Sequence, residues 1–311
     1  MSLELELKFL LAAPQSKPLA RLLRTCGELK DNGQAALLNA YFDTPDNWFR
    51  RHDMGLRTRQ KRGRFEQTIK LAGQQHGALQ ARPEFNLPAA GIVPELAAFP
   101  VDIWPEQTDV GRLQRQLTEL FRTDFIRQSW QLSVAGTVLE VVYDSGQIVL
   151  GDNVEIIAEL ELELLTGSAT TLFAVAEQLV QQLPLRTGWL SKAARGYLLA
   201  DKQQLTPPLS QQSGLIGNLT ALQCTEALYY RQAAAAGTGA VNLHELRQAS
   251  HFLQRLSEEL AVLQYADFSR QALLLAEQLQ QGVIVFEQPR YNQLLLALAG
   301  LLLQQSGVAQ G

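Results

Sequence analysis

Residues 3–11 read LELELKFLL and set Glu4, Glu6 and Lys8 at alternate positions, with Leu3, Leu5, Leu7 and Phe9 between them. A strand turns successive side chains to opposite faces. One face is therefore apolar, and the other carries two acids and a base. The pattern recurs along the chain. GLRTRQ aligns Arg57 with Arg59, EQTIK aligns Glu66, Thr68 and Lys70, and RPEF aligns Arg82 with Glu84. LEVVYD aligns Glu140, Val142 and Asp144, and AELELELL aligns Glu159, Glu161 and Glu163 opposite Leu160, Leu162 and Leu164. Like charges on neighbouring sites repel, so such faces call for groups of opposite sign among them.

A sheet closed into a barrel would turn these charged faces inward. Buried charges must then be paired or bind a metal. The acids would make a hard-oxygen site suited to Mg²⁺ or Mn²⁺. The Arg and Lys side chains would make a cradle for an oxyanion, since the Arg fork matches phosphate oxygens two at a time. A ligand that needs both a divalent cation and many basic groups is a polyphosphate chain.

The elements that must position these residues fall into two halves. Before residue 200 many short strand-like stretches alternate with turns. Two helical stretches interrupt them, PLARLLRTCG, with Gly27 as its C-terminal cap, and TTLFAVAEQLVQQL. This pattern predicts an α+β domain around an antiparallel sheet or barrel. QQLTPPLSQQSG, rich in Pro, Gln and Ser, reads as a linker. No lysine follows Lys202, and four helical stretches, about 211–236, 241–262, 267–281 and 289–305, predict an antiparallel bundle. The resulting division is 1–202, a linker at 203–212, and a helical half at 213–311. Every acid and base singled out above precedes Pro207 and Pro208, so residues 1–202 are expected to be active alone.

Composition narrows the function further. The 311 residues carry a net charge of −4, unlike a nucleic-acid binder, which is usually basic. No uncharged apolar run is long enough for a membrane span, and the N-terminus lacks the basic and apolar regions of a signal peptide. Cys26 and Cys224 suggest neither a disulfide framework nor a metal knuckle. A cytoplasmic location is expected. The four histidines sit apart, His52 and His76 in turn-like loops and His244 and His251 in the distal half, so no nucleophilic triad is expected.

The ordered set ExExK at 4–8, YFDTPDNWFRRHDMGLRTR, TIK, RPEF, ELELELL and LSKAARGY resembles the CYTH superfamily, the triphosphate tunnel metalloenzymes, over about residues 1–200. YFDTPDNWFRRHDMGLR and GWLSKAARGY are especially similar to bacterial inorganic triphosphatases that join CYTH to a C-terminal CHAD domain. The resemblance implies an eight-stranded antiparallel closed β-barrel with flanking helices, followed here by an all-α four-helix bundle. It implies metal-dependent hydrolysis of inorganic triphosphate inside the barrel. Glu4, Glu6, Glu159 and Glu161 would be metal ligands, with Asp144 and Glu84 as further ligands. Lys8, Arg57, Arg59, Lys70, Arg127 and Lys192 would hold phosphate oxygens, joined by Arg82 and Arg195. Glu4, Glu6 and Lys8 would be the catalytic group. Glu163 is the acid left to pair with a base, and a helix-surface salt bridge is the plainer role for Arg195.

The helical half resembles one four-helix half of a CHAD domain, with His244, Arg247, His251 and Arg255 at matching positions. It is expected to serve packing or oligomer contacts. Expected partners are inorganic triphosphate or another short polyphosphate, without nucleic acid or membrane. Three other readings compete. A class IV adenylate cyclase would need an adenine pocket, which no residue set marks. A thiamine triphosphatase would need an aromatic platform, which Trp48 or Trp189 would supply. A non-catalytic polyphosphate-binding module would gain nothing from so many carboxylates.

Overall fold

A computed structural model describes residues 2–11, 16–200, 205, 214–236 and 242–306. Ten strands and nine helices of the α type follow one another in these segments. The proximal elements are β1 (Ser2–Leu11), α1 (Ser16–Cys26), β2 (Glu28–Asp43), α2 (Trp48–Arg51), β3 (Gly55–Lys61), β4 (Arg64–Lys70), β5 (Gln74–His76) and β6 (Leu79–Ala89). Then come α3 (Val110–Gln116), β7 (Thr118–Val134), β8 (Thr137–Leu150), β9 (Asn153–Thr166), α4 (Ala169–Gln182), β10 (Leu185–Thr187) and α5 (Lys192–Ala200). The distal helices are α6 (Leu215–Ala236), α7 (Leu243–Val262), α8 (Ala266–Gln280) and α9 (Pro289–Gln305). The linker expected at 203–212 lies outside the described residues, except Leu205.

The strands pair in the order β1-β9-β8-β7-β2-β3-β4-β6, and β6 pairs back onto β1, so eight antiparallel strands close a barrel. The short strands β10 and β5 hang on β1 and β6. His76 thus belongs to a strand, where the sequence suggested a loop, because three residues of β5 find partners on β6.

The barrel is apolar outside and charged inside. Leu5, Leu7 and Phe9 of β1 face outward into a core with Leu139 and Val141 of β8 and Leu160 and Leu162 of β9. Three helices cover this core. α1 contributes Leu19 and Leu23, α4 Leu172, Val175 and Leu179, and α9 Leu296, Ala299 and Leu303. Each buried leucine stabilises this layer by about 1.5–3 kcal/mol. The intervening residues of the same strands, Glu6 and Lys8 among them, must then point into the barrel.

Caps set the helix starts. Ser168 accepts from the backbone N–H of Thr170 at 3.1 Å, Asp109 from Arg112 at 2.8 Å, and Asn242 from His244 at 3.1 Å. Asp43, fully buried at the end of β2, accepts from the N–H of Phe49 at 2.8 Å and of Arg50 at 3.1 Å, and from the Tyr197 hydroxyl at 2.7 Å. One carboxylate thereby ties α2 and α5 to the barrel. The aspartate of YFDTP is structural.

The two halves share one core. Residues of α9 fill the layer over β1, and Asn292 of α9 accepts from the N–H of Thr187 on β10 at 2.9 Å. The helical half also has its own core, built on Leu246, Leu253, Leu275, Phe286 and Tyr291. Among the described residues no helix is long and apolar enough to cross a membrane.

Candidate active site

The barrel encloses a cavity of about 240 Å³. Seven acids (Glu4, Glu6, Glu66, Glu84, Glu140, Glu161, Glu163) and seven bases (Lys8, Arg57, Arg59, Lys70, Arg82, Arg127, Lys192) line it. The strand registers bring them together. Glu6 lies beside Glu163, and Lys8 beside Glu161, where β1 meets β9. Glu140 lies beside Glu163 where β8 meets β9. Arg57 and Arg59 enter from β3, Lys70 from β4, and Arg82 and Glu84 from β6.

One group of charges is closed on itself. Arg127 holds Asp144 through two bonds of 2.7 Å and Glu161 through one of 2.8 Å. The ammonium of Lys192, from the first turn of α5, lies 2.8 Å from Asp144, 2.5 Å from Glu159 and 2.7 Å from Glu161. Arg195, one turn later, reaches Glu159 at 2.5 Å and Glu155 at 2.6 Å. Gly196 lets the helix come this close, because a Cβ there would lie 2.1 Å from the Phe121 ring. Burial opposes the charge on Lys192, but Asp144, Glu159 and Glu161 outweigh it and hold its pKa well above the usual lysine value. Burial likewise opposes the charge of Glu161, and Lys192 with Arg127 holds it well below the usual carboxylate range.

A second group is looser and has two acids for its nearest base. Lys70 lies 2.5 Å from Glu4 and 3.0 Å from Glu84, and Arg57 lies 3.7 Å from Glu84. Burial pushes Glu4 up to about 8 against the pull of Lys70, with Glu6 and Glu84 adding to the rise. Glu84 is held below the usual range because Lys70 and Arg57 outweigh its burial. Glu84 has two cations beside it, Lys70 and Arg57, where Glu4 has Lys70 alone, so the shared proton favours Glu4.

A third group is unmet. Glu6, Glu140 and Glu163 have no base within ion-pair distance among the described residues. Burial pushes Glu163 up to about 7, and Glu140 and then Glu6 add to the shift. On the basic side, Arg59 bonds the Asn39 amide oxygen at 2.8 Å, and Arg82 bonds Gln80. Lys8 donates to the Leu190 carbonyl at 2.5 Å. None of the three has a carboxylate within ion-pair distance among the described residues. Burial lowers the pKa of Arg59, and Arg57 and Arg127 lower it further. Burial brings Lys8 down to about 8, with Lys192 opposing its charge and Glu159 supporting it. Gly188 makes the contact over Lys8 possible, because a Cβ there would stand 2.9 Å from the lysine Cγ.

Measured against the sequence, Glu4, Glu6, Lys8, Arg57, Arg59, Lys70, Arg82, Glu84, Arg127, Glu161 and Lys192 line one cavity. Asp144, Glu159 and Arg195 sit behind its wall, fully buried or nearly so. Arg195 is only 7% exposed, so the surface salt bridge suggested for it is not what the fold makes. Glu163, suggested as a partner for a base, faces two acids. Sequence reasoning placed Glu140 inward but gave it no role, and passed over Glu155. Glu155 was findable from strand alternation, since Glu155, Ile157 and Glu159 share one face of β9. Trp48 stacks on His52 with ring centroids 4.0 Å apart, and Trp189 lines a groove between the halves. Neither lines the cavity, whose aromatic residues are Tyr41 and Phe125. His244, Arg247, His251 and Arg255 are exposed on α7, outside the cavity lining. Among the described residues no three acidic, His or Cys side chains converge closely enough to cage an ion as they stand.

The family model for the CYTH domain matches residues 2–197. An inorganic triphosphatase of Haemophilus influenzae is 36% identical over 174 residues, covering 56% of this chain and 48% of that protein. The chain thus spans about half the length of this curated relative. Among solved structures, HpAC1 from Hippeastrum, an adenylyl cyclase by name with a dominant triphosphatase activity, is 16% identical. That match covers 67% of this chain and 100% of the other, with a TM-score of 0.43. The PH1819 protein from Pyrococcus horikoshii is 18% identical over 64% of this chain and 99% of its own, with a TM-score of 0.39.

Proposed function

The chain belongs to the CYTH domain family, and from that premise we propose that its barrel hydrolyses inorganic triphosphate to diphosphate and phosphate with a divalent metal. One observation carries the reading. The cavity holds seven acids and seven bases, and each sign has members left without an opposite partner among the described residues. Arg59 and Arg82 await an anion, and Glu6, Glu140 and Glu163 await a cation. A triphosphate bound together with a divalent ion meets both needs.

The donor set fits Mg²⁺ or Mn²⁺ in type, being carboxylate oxygen throughout. Mg²⁺ is commonly held by one or two carboxylates plus waters and substrate phosphates. Glu6 on β1, with Glu163 and Glu140 beside it, supplies the open acids that would hold it, and Glu4, paired with Lys70, lies two residues before Glu6 on the same strand face. Glu84, Asp144, Glu159 and Glu161 mainly fix the bases. When bound, such an ion polarises a phosphoryl oxygen and makes a bound water more acidic.

The chain's own residues do the rest. Arg59, Arg82 and Lys192 bind non-bridging oxygens, with Arg57, Lys70 and Arg127 lining the same cavity, and neutralise charge on the departing diphosphate. Phosphoryl transfer needs mainly such positioning and electrostatic stabilisation. Lys8, with a pKa of about 8, is partly neutral near neutral pH, and its Nζ accepts the proton of the attacking water. The closed barrel wall excludes bulk water on all sides but the openings. In this reading residues 1–202 are the tunnel domain and 213–311 a helical unit docked on it.

Phosphate release from tripolyphosphate, ATP and thiamine triphosphate, each with Mg²⁺, Mn²⁺ or a chelator, tests the proposal. Fastest, metal-dependent release from tripolyphosphate supports it. Tight tripolyphosphate binding without release would favour a binding module.

A further inference from the structure

We propose that Arg231 of α6 and Glu155 of β9 are positioning residues for the tunnel, through which the helical half sets how freely Lys192 can bind a phosphate. The inference rests on the triphosphatase reading of the cavity. It adds residues outside the cavity lining and a role for the distal helices.

The path is a chain of alternating charges. Arg231 lies 2.9 Å from one oxygen of Glu155, and Arg195 lies 2.6 Å from the other. Arg195 also lies 2.5 Å from Glu159, which lies 2.5 Å from Lys192. Lys192 lines the cavity. Each carboxylate in the chain is thus shared between two bases, and each oxygen of Glu155 serves a different half of the molecule.

Sharing matters because the ammonium of Lys192 is saturated. It has three N–H donors, and three carboxylates lie within 2.8 Å of it. It can bind a phosphate oxygen only by releasing one of them. Glu159 is fully buried and so must keep a cationic partner. Arg195 is the group that can hold Glu159 when Lys192 leaves. Its guanidinium is also claimed by Glu155. With Arg231 present, Glu155 has a second base, and Arg195 is free to favour Glu159. With Arg231 removed, Glu155 depends on Arg195 alone and draws it away, and Glu159 then keeps Lys192.

Docking of the halves supports the arrangement. α9 fills the core over β1 with Leu296, Ala299 and Leu303, and Asn292 fixes β10 through Thr187. α6 is therefore held against a defined part of the barrel, which a long-range ion pair requires.

The test is steady-state kinetics on the 311-residue chain with tripolyphosphate, together with calorimetric tripolyphosphate binding in chelator. Arg231→Met is expected to raise KM and the metal-free Kd about 3- to 10-fold with kcat nearly unchanged. That is the low end of the range for coupled neighbours, because the pair is partly solvated. Arg231→Lys is expected to restore both. In the Glu155→Gln background, Arg231→Met is expected to have no further effect. Arg270→Met, at an exposed pair with Asp267 in the same helical half, serves as the control and is expected to match the parent. Parent-like KM and Kd for Arg231→Met would overturn the proposal, as would equal effects of that change with and without Glu155. A fall in kcat with KM unchanged would assign Arg231 to general stability and also overturn it. A parent enzyme without triphosphatase activity would overturn the functional reading instead, while the binding arm would still judge the coupling.

Discussion

Lys8 and Glu161 are register partners across β1 and β9, yet the lysine ammonium bonds the Leu190 carbonyl at 2.5 Å and not that carboxylate. Glu161 is already taken by Lys192 and Arg127. The first strand therefore delivers into the cavity a buried base whose charge no acid directly holds. Its pKa of about 8 follows from that placement.

The kinetic consequence is a pH limb. If neutral Lys8 accepts the proton, kcat/KM rises with pH and levels off above about 8, the value in the free enzyme. Lys8→Met should lose this limb and about 100-fold or more of kcat, the usual share of a positioned base. A Lys8→Met enzyme with the parent's pH profile would remove the lysine from the proton transfer.

Glu163 gives a stability signal without turnover. Its folded pKa of about 7 exceeds the ordinary 4.5. The folded state then holds more protons between those values, and stability of the metal-free protein falls as pH rises from about 4.5 to about 7. Glu163's share of the fall amounts to about 2 kcal/mol after allowance for solvent in the open tunnel. Glu163→Gln should make the slope shallower by that share, leaving the part due to the raised Glu4 and Glu226, and saturating Mg²⁺ should make it shallower in the parent. Denaturant midpoints across this pH range check both.

Glu6→Gln keeps the shape of the strand and removes one open carboxylate. Metal-dependent turnover should be lost while the thermal midpoint stays at or above the parent's, since like charge is removed. An active, metal-dependent Glu6→Gln enzyme would place the metal elsewhere.

Arg59 differs from its neighbour Arg57 in lacking any carboxylate partner among the described residues. Arg59→Ala should weaken triphosphate binding by about 1.5–3 kcal/mol, roughly 10- to 150-fold. It should stabilise the empty protein slightly, because a buried guanidinium crowded by Arg57 and Arg127 is gone. Calorimetric titration and thermal melts read the two effects separately.

Asn292 tests the joint between the halves. It is fully buried and bonds the N–H of Thr187 at 2.9 Å, its hydroxyl at 3.1 Å and the Phe286 carbonyl at 2.8 Å. Asn292→Ala should cost about 2–4 kcal/mol, since it strands buried partners on both sides. Residues 1–202 alone would lose this joint and the α9 layer as well, so the fragment should melt earlier than the full chain. Denaturation of the variant and of the fragment measures the joint.

The sequence by itself determined the barrel's inside and outside. Period-two alternation in LELELK and AELELELL admits only one burial of the leucines, and that burial turns Glu6, Lys8, Glu159 and Glu161 inward. It also determined the four distal helices nearly to their ends, because their apolar spacing is local. Only the tertiary structure decided which charges are used up. Alternation says that Glu159, Glu161 and Glu163 share a face. It does not say that α5 drops Lys192 and Arg195 onto the first two and leaves the third with Glu6 and Glu140. That choice depends on strand register and on the close approach at Gly196, contacts between residues tens of positions apart. The joining of the halves was hidden for the same reason. The linker's composition suggested two separate units, but an ion pair from Arg231 to Glu155 and an amide from Asn292 to Thr187 exist only once α6 and α9 lie on the barrel.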